Sequence, residues 1–186
     1  MLFTVVKSNI EFVKEVEFEK KAGEKWIGLI SDTHMPSRTK DIPPKVFEIF
    51  RKVDLIIHAG DFVSIDVLRE LEKRAPVIGV HGNMDFGEVR SELPEINYVE
   101  ILGRKIGVVH DAGIFGTEKM KRIARENNFD ILVFGHTHRQ FLMEDEGRIF
   151  INPGSPTNPL PPFLIKPSIA LLKIDEKKVE VFFVEI

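Results

Sequence analysis

Six histidines occur in the chain, and two of them, His136 and His138, stand at alternate positions behind Gly135 and the apolar run Ile131–Phe134. Imidazole is both a proton carrier near neutral pH and a ligand for transition metals. A single His-x-His is weak evidence, because two solvated loop histidines read the same way, so its meaning depends on how the other apolar runs end. Trp26–Ile30 is followed by Ser31-Asp32-Thr33-His34, and Leu55–Ile57 by His58-Ala59-Gly60-Asp61. Val77–Val80 is followed by His81-Gly82-Asn83-Met84-Asp85, and Ile106–Val109 by His110-Asp111. A sixth run, Arg148–Ile151, ends in Asn152-Pro153-Gly154-Ser155.

Short runs that are apolar on both faces are the pattern of strands in a covered, largely parallel sheet. Helix-period segments lie between them. Pro43–Val53 carries Val46, Phe47, Ile49 and Phe50, Ser64 caps a helix bearing Ile65, Leu68 and Leu71, and Thr117 caps another bearing Met120, Ile123 and Ala124. Hairpins are expected around Gly103-Arg104, around Glu146-Gly147 within Phe141–Ile151, and around Asp175–Lys177 within Ile169–Val184. The chain therefore begins β-α-β-α-β and ends rich in strands, an α/β sandwich of sheets covered by helices. Residues 1–25 alternate loosely, as a hairpin or edge strands would, and Asn158–Pro167, with four prolines, reads as an extended surface loop. A single domain is expected over 1–186, with 1–25 as an extension of the core at 26–186.

Ligands of open α/β sheets bind beyond the carboxyl ends of the strands, so the polar residues there should converge. Alternation lets Asp32 and His34, like His136 and His138, point the same way, and Gly60, Gly82 and Gly135 let the chain turn. The convergent set is Asp32, His34, Asp61, Asn83, His110, His136 and His138. Seven donors are too many for one tetrahedral zinc and natural for two adjacent ions. Mixed carboxylate, amide and imidazole donors suit Mn²⁺, Fe²⁺, Zn²⁺, Co²⁺ or Ni²⁺ better than Ca²⁺, with Mn²⁺ the first expectation.

Composition narrows the partners. With 26 basic and 29 acidic residues the formal charge is −3, so no basic field advertises nucleic acid or a membrane surface. Lys119, Lys121, Arg122 and Arg125 are interleaved with Glu118 and Glu126, as on a solvated helix face. The absence of cysteine excludes disulfides and thiol chemistry. No apolar run reaches the roughly 20 residues of a membrane helix, and no signal-peptide pattern opens the chain, which makes the cytoplasm the expected location. Fifteen phenylalanines and the unassigned residues 1–25 leave room for an interface, a homo-oligomeric one included.

Asp32-x-His34, Gly60-Asp61, Gly82-Asn83-x-Asp85, His110 and Gly135-His136-x-His138 resemble, in order, the motifs of the calcineurin-like metallophosphoesterases over about residues 26–184. Asn152-Pro153-Gly154-Ser155 resembles the small prokaryotic phosphodiesterase branch, which is related to the metallophosphoesterase-like retromer subunit. The resemblance implies an α-β-β-α sandwich of two mixed sheets flanked by helices. It implies that Asp32, His34 and His138 bind one metal and Asn83, His110 and His136 a second, with Asp61 bridging through its two oxygens. It further implies a phosphodiesterase, less so a phosphomonoesterase, that attacks a small soluble phosphoester with a metal-bridged hydroxide. Asp61, Asn83 and His110 would then be catalytic, and Asn83 and Ser155 would touch substrate. A related scaffold without catalysis is the alternative.

The chain departs from the family pattern at Met84, where many relatives carry a histidine able to contact phosphate or protonate a leaving group. It departs again at His110-Asp111-Ala112, where many read His-Gly-His. His58 and His81 fall outside the ligand positions and read as packed strand-end residues, while Asp85 reads as a group that orients a neighbouring ligand.

Overall fold

The computed structural model describes residues 12–13, 16, 18–114, 116–157 and 165–186. The first half of the chain forms β1 (Phe12–Val13), β2 (Lys25–Ile30), α1 (Pro44–Phe50), β3 (Leu55–His58), α2 (Ile65–Glu72), β4 (Val77–Gly79) and α3 (Gly87–Glu92). The second half forms β5 (Ile96–Ile101), β6 (Arg104–Val109), α4 (Glu118–Asn127), β7 (Ile131–Val133), β8 (Gln140–Asp145), β9 (Arg148–Pro153), β10 (Ser168–Ile174) and β11 (Val179–Glu185).

The apolar runs divide between two mixed sheets. One has the order β1-β11-β10-β2-β3-β4 and the other β5-β6-β7-β9-β8. Within the first, β2, β3 and β4 are parallel; within the second, β6, β7 and β9 are. Strand alternation then sorts the side chains into layers. Ile27, Leu29 and Ile57 meet Ile106, Val108, Ile131, Val133, Ile149 and Ile151 between the sheets. Trp26, Ile30 and Ile56 face the other way, onto Val46 and Phe50 of α1 and Val67, Leu68 and Leu71 of α2. Leu132 and Phe150 pack outward against Met120 and Ala124 of α4. Each buried aliphatic contributes roughly 1.5–3 kcal/mol, so the shared inner layer holds the two sets of strand ends in register with one another. The result is the expected sandwich of two mixed sheets flanked by helices.

Local chemistry explains most boundaries. Ser64 accepts a hydrogen bond from the Asp66 N–H at 3.2 Å and caps α2 as expected. Thr117 precedes α4 but makes no capping side-chain bond, because its backbone is already helical at φ −110°, ψ −4°. The β5–β6 turn falls on Leu102-Gly103, one residue before the expected pair. Both have positive φ (50° and 73°), as a two-residue type I′ turn requires. Helix α3 is absent from the helix-period segments read from the sequence; at six residues, with Val89 its buried side chain, it is too short to display a helical period. At the N-terminus, Phe12–Val13 is an edge strand parallel to β11, while Phe3 and Val5 lie outside the described residues. So do residues 158–164 of the expected proline-rich loop. Among the described residues no helix is long and apolar enough to cross a membrane.

Candidate metal centre

The carboxyl ends of β2, β3 and β4 meet those of β6 and β7 along the seam between the sheets, and all seven candidate ligands gather there. Asp32, His34, Asp61 and His138 each place one donor atom within 4.8 Å of the others, and all four are buried. His34 Nε2 lies 3.2 Å from His138 Nε2 and 3.6 Å from Asp61 Oδ2, while His138 Nε2 lies 3.3 Å from Asp32 Oδ1. Beside this cluster is a second. Asn83 Oδ1 is 2.9 Å from both His110 Nε2 and His136 Nδ1, and those two nitrogens are 3.3 Å apart. Asp61 belongs to both, because its Oδ2 also lies 3.4 Å from His110 Nε2. The other oxygen, Oδ1, accepts the Met84 N–H at 2.8 Å. One carboxylate oxygen, rather than two, therefore faces both clusters.

The backbone reaches this arrangement by an unexpected route. Strand alternation does not aim the paired ligands; left-handed backbone does. Asp32, His34, Asp61, His136 and His138 have φ between 47° and 70°, and make up five of the nine non-glycine residues with positive φ among those described. Such conformations cost roughly 1–2 kcal/mol apiece and persist where surrounding bonds over-determine them. Here the Asp32 and His34 N–H groups donate to the Gly60 and Asp61 carbonyls at 3.0 Å each, and the His136 N–H donates to both oxygens of Asp32 at 3.1 Å. The glycines act mainly by leaving room. A Cβ on Gly82 would stand 2.1 Å from Asp61 Oδ1, and one on Gly135 would stand 2.8 Å from Asp32 Oδ2. Gly60 alone of the three has positive φ, at 88°, and a Cβ there would also strike the His110 ring.

Supporting residues hold the ligands. Asp85, fully buried, accepts the Asp61 and Gly82 N–H groups on Oδ2 (2.9 and 2.7 Å) and the Val63 N–H on Oδ1 (2.6 Å). It thus steadies the Asp61 loop and the strained β-branched Val63, at φ 73°. Asn152 was not singled out as a site residue; its amide donates to the Gly135 carbonyl at 2.8 Å and to Thr137 Oγ1 at 3.1 Å, pinning the loop between the two histidines. Its position in Asn-Pro-Gly after a strand was the available signal. Ser155 is fully buried, and its hydroxyl donates to the Asp32 carbonyl at 2.8 Å, so it lies beneath the ligand loop. His58 is fully buried, stacked on Phe62 at 3.5 Å between centroids, with Thr33 Oγ1 at 3.2 Å. His81 lines a cleft beside Asn83.

Electrostatics show how closely the imidazoles and carboxylates act on one another. Burial drives the His34 imidazole down to about 4 against the pull of Asp61, leaving its ring neutral. Burial also opposes charge on His110, but the Asp61 hydrogen bond and the Asp32 and Asp61 charges prevail and raise it to about 9. Burial raises the Asp32 carboxyl, only partly offset by His138 and His110. Asp61 is buried too, yet the His110 and Met84 hydrogen bonds bring it below the usual carboxylate range. His110 Nδ1 lies 2.8 Å from the Ala59 carbonyl, which can only accept, so that nitrogen carries the proton and Nε2 is the one turned to the site. A buried set of lone pairs and carboxylate oxygens this close together fits divalent ions.

Where the family commonly places further imidazoles, this chain has other groups. The Met84 side chain is 39% exposed and offers no proton. Asp111 Oδ2 accepts from Lys119 Nζ at 2.7 Å, and its Oδ1 accepts the Gly113 N–H.

Residues 26–177 match the calcineurin-like phosphoesterase superfamily domain. A probable metallophosphoesterase of Methanothermobacter thermautotrophicus is 43% identical over 157 residues, 83% of this chain and 88% of that protein. A phosphodiesterase of Methanocaldococcus jannaschii is 34% identical over 142 residues, 69% of this chain and 82% of that one. Among solved structures, Vacuolar Protein Sorting 29 from Cryptosporidium parvum superposes with a TM-score of 0.74 at 24% identity, covering 88% of this chain and 98% of the other. Fold, motif order and sequence likeness thus agree, and the chain belongs to the calcineurin-like phosphoesterase superfamily.

Proposed function

We propose that the protein is a dinuclear-metal-dependent phosphodiesterase acting on a small soluble phosphoester in the cytoplasm. Asp32, His34 and His138 hold one divalent ion, Asn83, His110 and His136 hold a second, and Asp61 is shared. The observation that carries this reading is Asp61 Oδ2, placed within 3.6 Å of a donor from each cluster. Divalent transition ions in such a pair, Mn²⁺ before Ni²⁺, Zn²⁺, Fe²⁺ or Co²⁺, acidify water and neutralise phosphoryl oxygens. Asn83 is exposed, so its amide N–H₂ can donate to a phosphoryl oxygen while Oδ1 faces the imidazoles. Ser155 supports Asp32 from below instead of contacting substrate.

A preference for esters with activated leaving groups follows from the missing donors. With methionine at 84 and Asp111 engaged by Lys119, neither position protonates a leaving group. General acid catalysis is worth about 10²–10⁴-fold, so esters that depart as weakly basic phenolates suffer least from its loss.

Metal-free protein reconstituted separately with each ion and assayed on bis(p-nitrophenyl) phosphate and p-nitrophenyl phosphate tests the reading. We expect two ions per chain, diester hydrolysis exceeding monoester hydrolysis, and loss of both activities on chelation. A single weakly held ion, or no hydrolysis with ions bound, overturns it. The latter outcome would favour the second reading, a protein-binding scaffold, which the fold likeness to Vacuolar Protein Sorting 29 leaves open.

A further inference from the structure

Two clefts flank the second cluster, and they differ in the charged groups that line them. One, of about 460 Å³, has apolar wall at Ile96 and Ile123 but also carries Arg90, Glu95, Asp111 and Lys119 beside Asn83 and His110. Two are basic and two acidic residues, and Asp111 and Lys119 pair at 2.7 Å. The other, of about 620 Å³, begins at His136 and is walled by Ile114, Met120, Phe134 and Phe141. Phe134 and Phe141 are in ring contact with centroids 5.7 Å apart, and Ile114 stands 61% exposed. Arg139 also lines this cleft, as does Gln140, whose amide nitrogen already donates to Lys166 O and Ser168 Oγ.

A phosphodiester carries two substituents that diverge from phosphorus. With phosphorus over the cluster that Asn83, His110 and His136 share, one arm lies toward each cleft. An apolar arm in the first would strip water from Arg90, Glu95 and the Asp111–Lys119 pair without replacing it, which is costly. In the second it would cover Ile114 and Phe141 and release water from apolar surface. We propose that the Ile114–Phe141 cleft is a specificity subsite for an apolar group of aromatic-ring size on one arm of the diester, with the polar arm over Arg90 and Lys119. This inference rests on the phosphodiesterase reading above.

The test uses methyl 1-naphthyl phosphate and dimethyl phosphate as inhibitors of bis(p-nitrophenyl) phosphate hydrolysis by the metal-loaded protein. The naphthyl diester should bind more tightly by roughly tenfold or more, the scale expected for burying an aromatic group. Ile114→Ser, and Thr117→Trp to fill the cleft, should each reduce that ratio to about threefold or less, and taking the ratio cancels any general damage to the protein. An equal ratio in wild type and both variants overturns the subsite while leaving the phosphodiesterase reading intact. If bis(p-nitrophenyl) phosphate is not hydrolysed with ions bound, that reading fails instead. Naphthalene fluorescence titrated with the Zn²⁺-loaded protein then decides the subsite alone: weaker binding by Ile114→Ser supports it, and equal binding overturns it.

Discussion

The two ligand clusters share one carboxylate but are built differently. The Asp32–His34–His138 cluster is closed, its side chains at most 7% exposed, and it carries a carboxylate of its own. The Asn83–His110–His136 cluster opens to solvent at Asn83 and substitutes a neutral amide for that carboxylate. One more negative charge in a medium of low dielectric strengthens attraction to a cation substantially. On the proposed dinuclear reading the first cluster would be the tight position and the second, which borders both clefts, the exchangeable one. The difference would then separate a structural task from a chemical one within a single site.

The most damaging way to break this comparison is at the shared residue. Asp61→Asn should remove at least one ion and lower diester turnover by about 10²–10³-fold or more, the scale of deleting a group that stabilises transition-state charge; metal analysis with steady-state kinetics checks it. Next come the cluster-specific changes. His138→Ala should abolish the tight ion, whereas Asn83→Ala should keep it and lose the weak one, as calorimetric titration of Mn²⁺ would read. If both variants lose the same ion, the division into two clusters is wrong. Asp85→Asn touches neither ion directly but withdraws charge from three backbone N–H groups, so turnover should fall by roughly 10–100-fold, as for other groups that orient ligands.

The smallest effect concerns pH. Protons and cations compete for ligand nitrogens. His110 is raised to about 9 and His34 lowered to about 4. Between those values His110 takes up a proton as pH falls, while His34 stays neutral. The second ion's affinity should therefore weaken by up to about tenfold per unit from pH 9 downward, and the first ion's should not share that dependence. Titrations at several pH values that found the steeper loss at the tight ion would reverse the assignment.

How much of this was legible beforehand depended on range. The ligand residues announce themselves because each lies directly after an apolar run, a local pattern. That Ile131–Val133 pairs with β6 and β9 rather than with β4 is decided by partners distant in sequence, and nothing within the segment encodes it. The seam between sheets was therefore supplied by family resemblance, not by periodicity. Left-handed backbone at Asp32, His34, His136 and His138 was equally hidden, since single residues at positive φ leave no trace in composition. Gly82 and Gly135 looked like turns, but their absent Cβ atoms instead admit carboxylates. Ser155 illustrates the limit of motif reading: a serine after glycine suits phosphate binding and suits a buried bond to the Asp32 carbonyl equally well, and only its burial distinguishes the two.

The shared carboxylate oxygen is most directly tested by electron paramagnetic resonance of the protein titrated with Mn²⁺. The first equivalent should give the six-line spectrum of an isolated ion, and the second should convert it to an exchange-coupled spectrum. Asp61→Asn should remain six-line throughout. Two isolated Mn²⁺ signals in the unaltered protein, or coupling that survives in Asp61→Asn, would contradict the account.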